Sequence, residues 1–155
     1  MYLIHFKLAS FGKSIGLNRK ILEILLRALT EIDCLILKAD RSIPPLYRSG
    51  VVYKREAIGQ EDWCDLSEVL NLGFGDCEDL ACWRAAELIV RHGIAARPIV
   101  RGPKRLRNGV MMYHIQVQLP DGSIEDPSKK LGMGRETNGE PMPGLVYTIS
   151  RRRVA

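Results

Sequence analysis

Apolar and polar positions change period several times along the chain, and each change marks an element. Residues 2–8 alternate, with Tyr2, Ile4, Phe6 and Leu8 set against Leu3, His5 and Lys7, which is the period of a strand. A glycine-containing loop follows over 11–16, and Asn18 is the expected N-cap of a long helix over 19–38. There Ile21, Leu22, Leu25, Leu29, Ile32 and Ile36 recur at helical spacing, and Leu26, Cys34, Leu35 and Leu37 widen the stripe. So wide an apolar surface predicts a helix that is mostly buried or that packs on a partner chain. Pro44-Pro45 blocks any continuation. Residues 46–60 read as extended and irregular around Val51, Val52 and Tyr53. A short helix is predicted over 63–70 and is broken by Gly73 and Gly75. A second clear helix runs from Cys77 to about His92, carries Leu80, Ala81, Ala85, Leu88 and Ile89 along one side, and closes at Gly93. Strands are predicted over 96–101, 110–119 and 123–126, with a basic loop at 103–108 and a hairpin turn at Asp121-Gly122. Residues 132–143 read as loop before a last strand at 145–149. This order of elements is that of an α+β fold.

Composition narrows the picture slightly. The 155 residues are 46% hydrophobic, enough for one domain over 1–155 with a core that needs no staples. The net charge of +5 favours solubility without identifying a partner. The densest basic block, Arg151-Arg152-Arg153, has no aromatic residues interleaved as a stacking platform, so nucleic acid is not the expected partner. Cys34, Cys64, Cys77 and Cys82 contain no C-x-x-C pair, and Cys77 and Cys82 fall on different faces of one predicted helix. They read as reduced thiols of a cytosolic compartment. The N-terminal stretch MYLIHFKLAS lacks the features of a signal peptide, so secretion by that route is not expected. The longest apolar stretch, around Ile21 to Leu37, is interrupted by Glu23, Arg27, Glu31 and Asp33, so no membrane span is predicted.

Candidate chemistry concentrates in Gly73-Phe74-Gly75-Asp76-Cys77-Glu78-Asp79-Leu80-Ala81. A glycine-rich turn delivers a cysteine to the first turn of a helix, where unpaired N–H groups favour thiolate over thiol. The Cys77 amide is also a candidate donor to an oxyanion, with Gln60 and Trp63 as sources of a second. Asp76, Glu78 and Asp79 oppose the thiolate by like charge, so a cationic partner is needed; Glu78 and Asp79 read as helix N-terminal charges. Of the three histidines, His114 lies in the strand Met111-Met112-Tyr113-His114-Ile115-Gln116-Val117, and the next strand ends in Glu125-Asp126-Pro127. Cys77 as nucleophile, His114 as base and Asp126 as the group orienting the imidazole would form a triad. A two-residue Asp121-Gly122 turn, however, pairs Asp126 with Val117 and sends His114 to the other face. The triad therefore requires a β-bulge, a different loop length, or Asp126 beyond the ladder, with Glu125 as the fallback acid. A zinc set from Cys64, Cys77, Cys82 and His114 has no motif spacing behind it.

Gly-Asp-Cys-Glu-Asp-Leu-Ala opening a helix, a strand histidine, then Pro-Asp-Gly and Asp-Pro-Ser resemble the transglutaminase-like cysteine peptidase superfamily. The resemblance is to the small forms that phage and prophage genomes encode. It covers about 44–133 and leaves 1–43 and 134–155 outside. It implies a papain-like core, with the cysteine on a helix packed against an antiparallel sheet that carries the histidine and aspartate. It assigns Cys77 as nucleophile, His114 as general base and acid, and Asp126 as orienter. The implied activity is that of a cysteine peptidase or acyltransferase attacking an amide of a peptide or protein through a Cys77 thioester, with no cofactor and no metal. Host cytoplasm or phage virion is the implied location. The alternative is a structural or assembly component of a phage particle, at the tail or its connector, meeting phage structural proteins through the N-terminal helix and basic tail. Ile115 stands where the family usually has an aromatic residue after its histidine.

Overall fold

The structure, a computed structural model, describes residues 14–56, 62–105 and 111–134. The strands expected at 2–8 and 145–149 and the run Arg151–Arg153 lie outside the described residues. The fold is α+β.

The first helix, α1 (Ile15–Ala39), starts one turn before Asn18. Ser14 is the N-cap, its hydroxyl oxygen accepting from the Leu17 amide at 3.1 Å. Asn18 instead sits inside the helix, buried, with its side-chain amide donating to the Tyr113 hydroxyl at 3.5 Å. The buried face of α1 is rotated from the one that apolar spacing alone picks out. Leu26, Leu29, Cys34 and Leu37 are buried together with Thr30 and Asp33, while Ile24, Ile32 and Leu35 are exposed. The two polar residues fit because each makes a hydrogen bond: Thr30 Oγ1 donates to the Leu26 carbonyl at 2.8 Å, and Asp33 Oδ1 accepts from the Leu66 amide at 2.9 Å. Leu26, one of the residues that widen the predicted stripe, is 1% exposed and belongs to the core of the chain. That removes it as a partner contact.

The second helix, α2 (Leu66–Leu72), begins later than predicted because Asp65 caps it, accepting from the Ser67 and Glu68 amides at 2.9 and 3.1 Å. It ends at Gly73, whose φ of +77° suits glycine. Two short strands, β1 (Val52–Tyr53) and β2 (Phe74–Gly75), then pair in parallel. They hold the chain that leads into α3 (Cys77–His92). This helix is buried on two sides. Ala81, Cys82, Ala85 and Leu88 pack with Leu26, Leu29, Val100, Ile115 and Val117, while Leu80, Trp83 and Ala86 pack with Leu37, Leu46, Leu66 and Val69. Burial of each leucine-sized side chain stabilises by about 1.5–3 kcal/mol, so Leu80, Trp83 and Leu88 place α3 firmly. Cys77 lies where the two clusters meet.

The sheet beside α3 has three antiparallel strands in the order β3 (Arg97–Arg105), β4 (Met111–Gln118), β5 (Ile124–Glu125). β3 extends to Arg105, through the start of the predicted basic loop, because a register shift between Arg101 and Lys104 lets pairing resume with Met112 and Met111. The β4–β5 hairpin pairs Val117 with Glu125 and Gln118 with Ile124. Its loop is Pro120-Asp121-Gly122: the Leu119 amide donates to the Ser123 carbonyl at 3.0 Å, and the Gly122 amide donates to the Leu119 carbonyl at 3.0 Å. Proline explains the difference from the predicted two-residue turn. Closing on Asp121-Gly122 would require Pro120 to donate to Ser123, and proline has no N–H. Closure moves back to Leu119, and Gly122 takes a φ of +85° after the turn. Ser123 holds this form by donating to Asp121 Oδ1 from its amide at 2.9 Å and from its hydroxyl at 2.6 Å. The one-residue change of register places Asp126 on the His114 side of the hairpin. No helix among the described residues is long and apolar enough to cross a membrane.

Candidate active site

Cys77 is the first residue of α3. Gly75 and Asp76 before it are shaped by the helix cap. Asp79 accepts from the Asp76 amide at 3.3 Å with Oδ2 and from the Cys64 amide at 2.9 Å with Oδ1, tying β2, the approach to α2 and the first turn of α3 together. A Cβ on Gly75 would lie 3.1 Å from Asp79 Cβ and 3.2 Å from Val69 Cγ1, so the residue before Asp76-Cys77 has to be small. Glu78 and Asp79 lie in the first turn of α3, as expected, but both are buried. Burial, then Asp76, pushes the Asp79 carboxyl up to about 8.

Two contacts define the thiol. Cys77 Sγ donates to Glu78 Oε2 at 3.3 Å and accepts from the Ile115 amide of β4, the residue after His114. Its pKa stands well above the usual thiol value, first because burial disfavours the charged form, then because the Glu78 and Asp76 carboxylates do; the Ile115 N–H works in the opposite direction. The helix end alone does not outweigh these effects, and the resting group is a thiol rather than the thiolate that a cationic partner was expected to hold.

His114 and Asp126 meet directly. His114 Nε2 lies 2.9 Å from Asp126 Oδ2. Asp126 lies just past the last ladder residue and is the N-cap of a short helix, α4 (Pro127–Lys130), its Oδ1 accepting from the Lys129 amide at 3.1 Å. The Asp-Pro start of α4 carries a sequence signal, an N-cap acid followed by proline at the first helical position, that a reading for strands passes over. Gln116, two residues along β4 from His114, also donates to Asp126 Oδ2, at 3.0 Å. Burial alone would raise the Asp126 pKa, but the Gln116, His114 and Lys129 donors hold it below the ordinary carboxylate value. Glu125, the fallback acid, serves a different cluster. It accepts from Arg84 Nε at 2.9 Å and from the Tyr47 hydroxyl, with Lys130 Nζ 3.1 Å away. Compared with protein-family models, with curated proteins and with solved structures, the chain matches none.

The remaining candidates are not drawn into this site. Trp63 is half-buried and packs on the α1–α3 cluster, and Gln60 lies outside the described residues. Cys64 donates to the Asp62 carbonyl at 3.4 Å and Cys82 to the Leu26 carbonyl at 3.4 Å, so the four-residue zinc set does not converge. All four cysteines are free. Among the described residues the donors that do converge are Asp76, Cys77 and Glu78, with ligand atoms within 4.8 Å of one another. One sulfur and two carboxylates can receive a cation, but they are also the groups that govern the thiol proton. The sequence placed Glu78 among the helix N-terminal charges and left Gln116 unassigned. The period of two along β4 is the signal that puts Gln116 on the side of His114.

Proposed function

We propose that the chain is a transglutaminase-like cysteine peptidase or acyltransferase of the small phage-encoded kind, built on a papain-like core. The observation that carries this reading is the 2.9 Å contact between His114 Nε2 and Asp126 Oδ2, on the strand whose next amide reaches the Cys77 sulfur. A neutral imidazole that donates from Nε2 to Asp126 holds its lone pair on Nδ1, the nitrogen left for the thiol proton. In the proposed reaction that proton gives up its hydrogen bond to Glu78 and passes from sulfur to His114 as sulfur adds to the amide carbonyl. The oxyanion collapses, the C–N bond breaks, and the protonated His114 returns the proton to the departing amine. Water or another amine then attacks the thioester with His114 again as base, which regenerates the thiol. Because the resting group is a thiol, proton transfer accompanies attack.

The test is competitive alkylation with iodoacetamide at neutral pH, read by peptide mass spectrometry. Because His114 takes the proton as sulfur attacks, Cys77 is expected to be labelled before Cys34, Cys64 and Cys82 despite its raised pKa, and His114→Ala should slow its labelling at least tenfold, at the low end of a general base's contribution of about 10²–10⁴. First labelling at another cysteine, or indifference to His114→Ala, would sink the reading. A second reading, an assembly component of a phage particle, is favoured by the exposed Ile24, Ile32 and Leu35 on α1. Cys77→Ser separates the two: supplied in place of the wild type, it should fail to support phage growth if catalysis is required and restore it fully if the chain only assembles.

A further inference from the structure

Behind the Asp126–His114 contact the hydrogen-bonded chain continues. Gln116 donates from Nε2 to Asp126 Oδ2 at 3.0 Å, and its Oε1 accepts from Arg101 Nε at 3.0 Å. Arginine can only donate and an ionised carboxylate can only accept, so the amide has one allowed orientation, carbonyl towards Arg101 and NH₂ towards Asp126. A flipped amide would set oxygen against carboxylate and nitrogen against guanidinium. The strand register supplies the distances. Arg101 pairs with His114 and Ile99 with Gln116, so Arg101 reaches Gln116 along the diagonal.

We infer that Gln116, held in orientation by Arg101, is a positioning residue that fixes the Asp126 carboxylate against His114 and thereby the tautomer of the imidazole. The inference rests on the reading of His114 as base. Oδ2 of Asp126 receives both Gln116 and His114, and Oδ1 receives the Lys129 amide, so the carboxylate is pinned from both oxygens. Without Gln116, the only side-chain donor left within 3.5 Å among these contacts is His114 itself, and the carboxylate can turn about its last bond. The sheet contains its own control. Arg97 donates to Gln118 Oε1 from Nε and Nη2 at 3.2 and 2.8 Å, the same pair of residue types on the same two strands, with no contact to Asp126.

The experiment compares Gln116→Leu, Gln116→Glu, Gln118→Leu, Arg101→Leu and Arg101→Lys with the wild type. One readout is the His114 tautomer by ¹⁵N NMR; the other is the pH profile of Cys77 alkylation by iodoacetamide. Gln116→Leu should turn a predominantly Nε2–H imidazole into a mixture and slow Cys77 alkylation about tenfold, a fraction of the general-base contribution. Gln116→Glu, similar in shape but with an acceptor where the donor was, should be slower still and serves if the leucine variant does not fold. Arg101→Lys should recover part of what Arg101→Leu loses, and Gln118→Leu should match the wild type. Asp126→Asn tests the underlying reading separately. If it slows alkylation while both Gln116 variants behave as Gln118→Leu does, the positioning role is overturned and the triad stands. If Asp126→Asn and His114→Ala also change nothing, the triad falls and the inference with it.

Discussion

Glu78 has the most direct hold on the Cys77 proton, because its Oε2 receives the thiol at 3.3 Å. Together with burial it keeps sulfur protonated. Glu78→Gln keeps the shape and removes the charge, so the thiol pKa should fall, and alkylation at pH 7 should rise about tenfold for each unit of that fall. The pH dependence of iodoacetamide labelling measures this directly, and an unchanged profile would show that Glu78 has no charge effect on sulfur. The approach of Asp126 to His114 was legible from residue type and order, up to the register of the hairpin. The location of the thiol proton was not, since it depends on which neighbouring side chain turns inward and how deeply the pair is buried. Neither quantity has a signature in the string Asp-Cys-Glu-Asp.

Elements position these residues through a few backbone details. The tight approach at Gly75 predicts that Gly75→Ala, although conservative in polarity, will push on Asp79 and Val69 and cost about 1–3 kcal/mol, read as a lower urea midpoint. At the β4–β5 hairpin, Pro120→Asn restores the N–H that a turn on Asp121-Gly122 needs. The variant should populate two registers, visible as doubled NMR cross-peaks for Val117 and Gln118, with Cys77 alkylation slowed in proportion to the slipped fraction. A single set of peaks would mean that the Ser123–Asp121 contacts suffice without proline. Helix α3 was legible nearly residue for residue, because glycine at both ends and a steady apolar face agree. The inward face of α1 was not. Thr30 and Asp33 occupy buried positions by making specific hydrogen bonds, whereas Ile24, Ile32 and Leu35 are left outside. A hydrophobic stripe reports what can be buried; partners elsewhere in the chain decide which part is.

Across the whole molecule, buried carboxyl groups give stability an unusual pH dependence. Asp79 titrates near 8 when folded and near about 3.9 when unfolded, so between these values the folded chain binds the extra proton. Stability from this group is full below the unfolded value and is lost as pH rises through 8. Asp126 has the opposite sign: its folded pKa is lowered, so its contribution is present above the unfolded value and lost as pH falls through the folded one. The urea midpoint is therefore expected to fall between pH 5 and pH 8, and Asp79→Asn should flatten that decline. An equally steep fall in the variant would place its origin elsewhere. The same unfolding measurement separates the two sides of α1. Leu26→Ala opens the core and should cost about 2–5 kcal/mol, whereas Leu35→Ala, on the exposed side, should stay within about 0.5 kcal/mol.

Pro120 also bears on how variants of this chain would be selected or scored. A mutagenesis library restricted to positions near the sulfur would omit it, and a thermal-shift screen would pass most of its replacements as healthy protein. On the function proposed above, such clones would register as inactive with Cys77, His114 and Asp126 all in place, and the deficit would be attributed to chemistry. Its cause would be topological: an imino acid, through a missing hydrogen, decides which side of a ribbon receives the acid. A deep mutational scan that pairs abundance with activity should find Pro120 among the positions where the two scores diverge most.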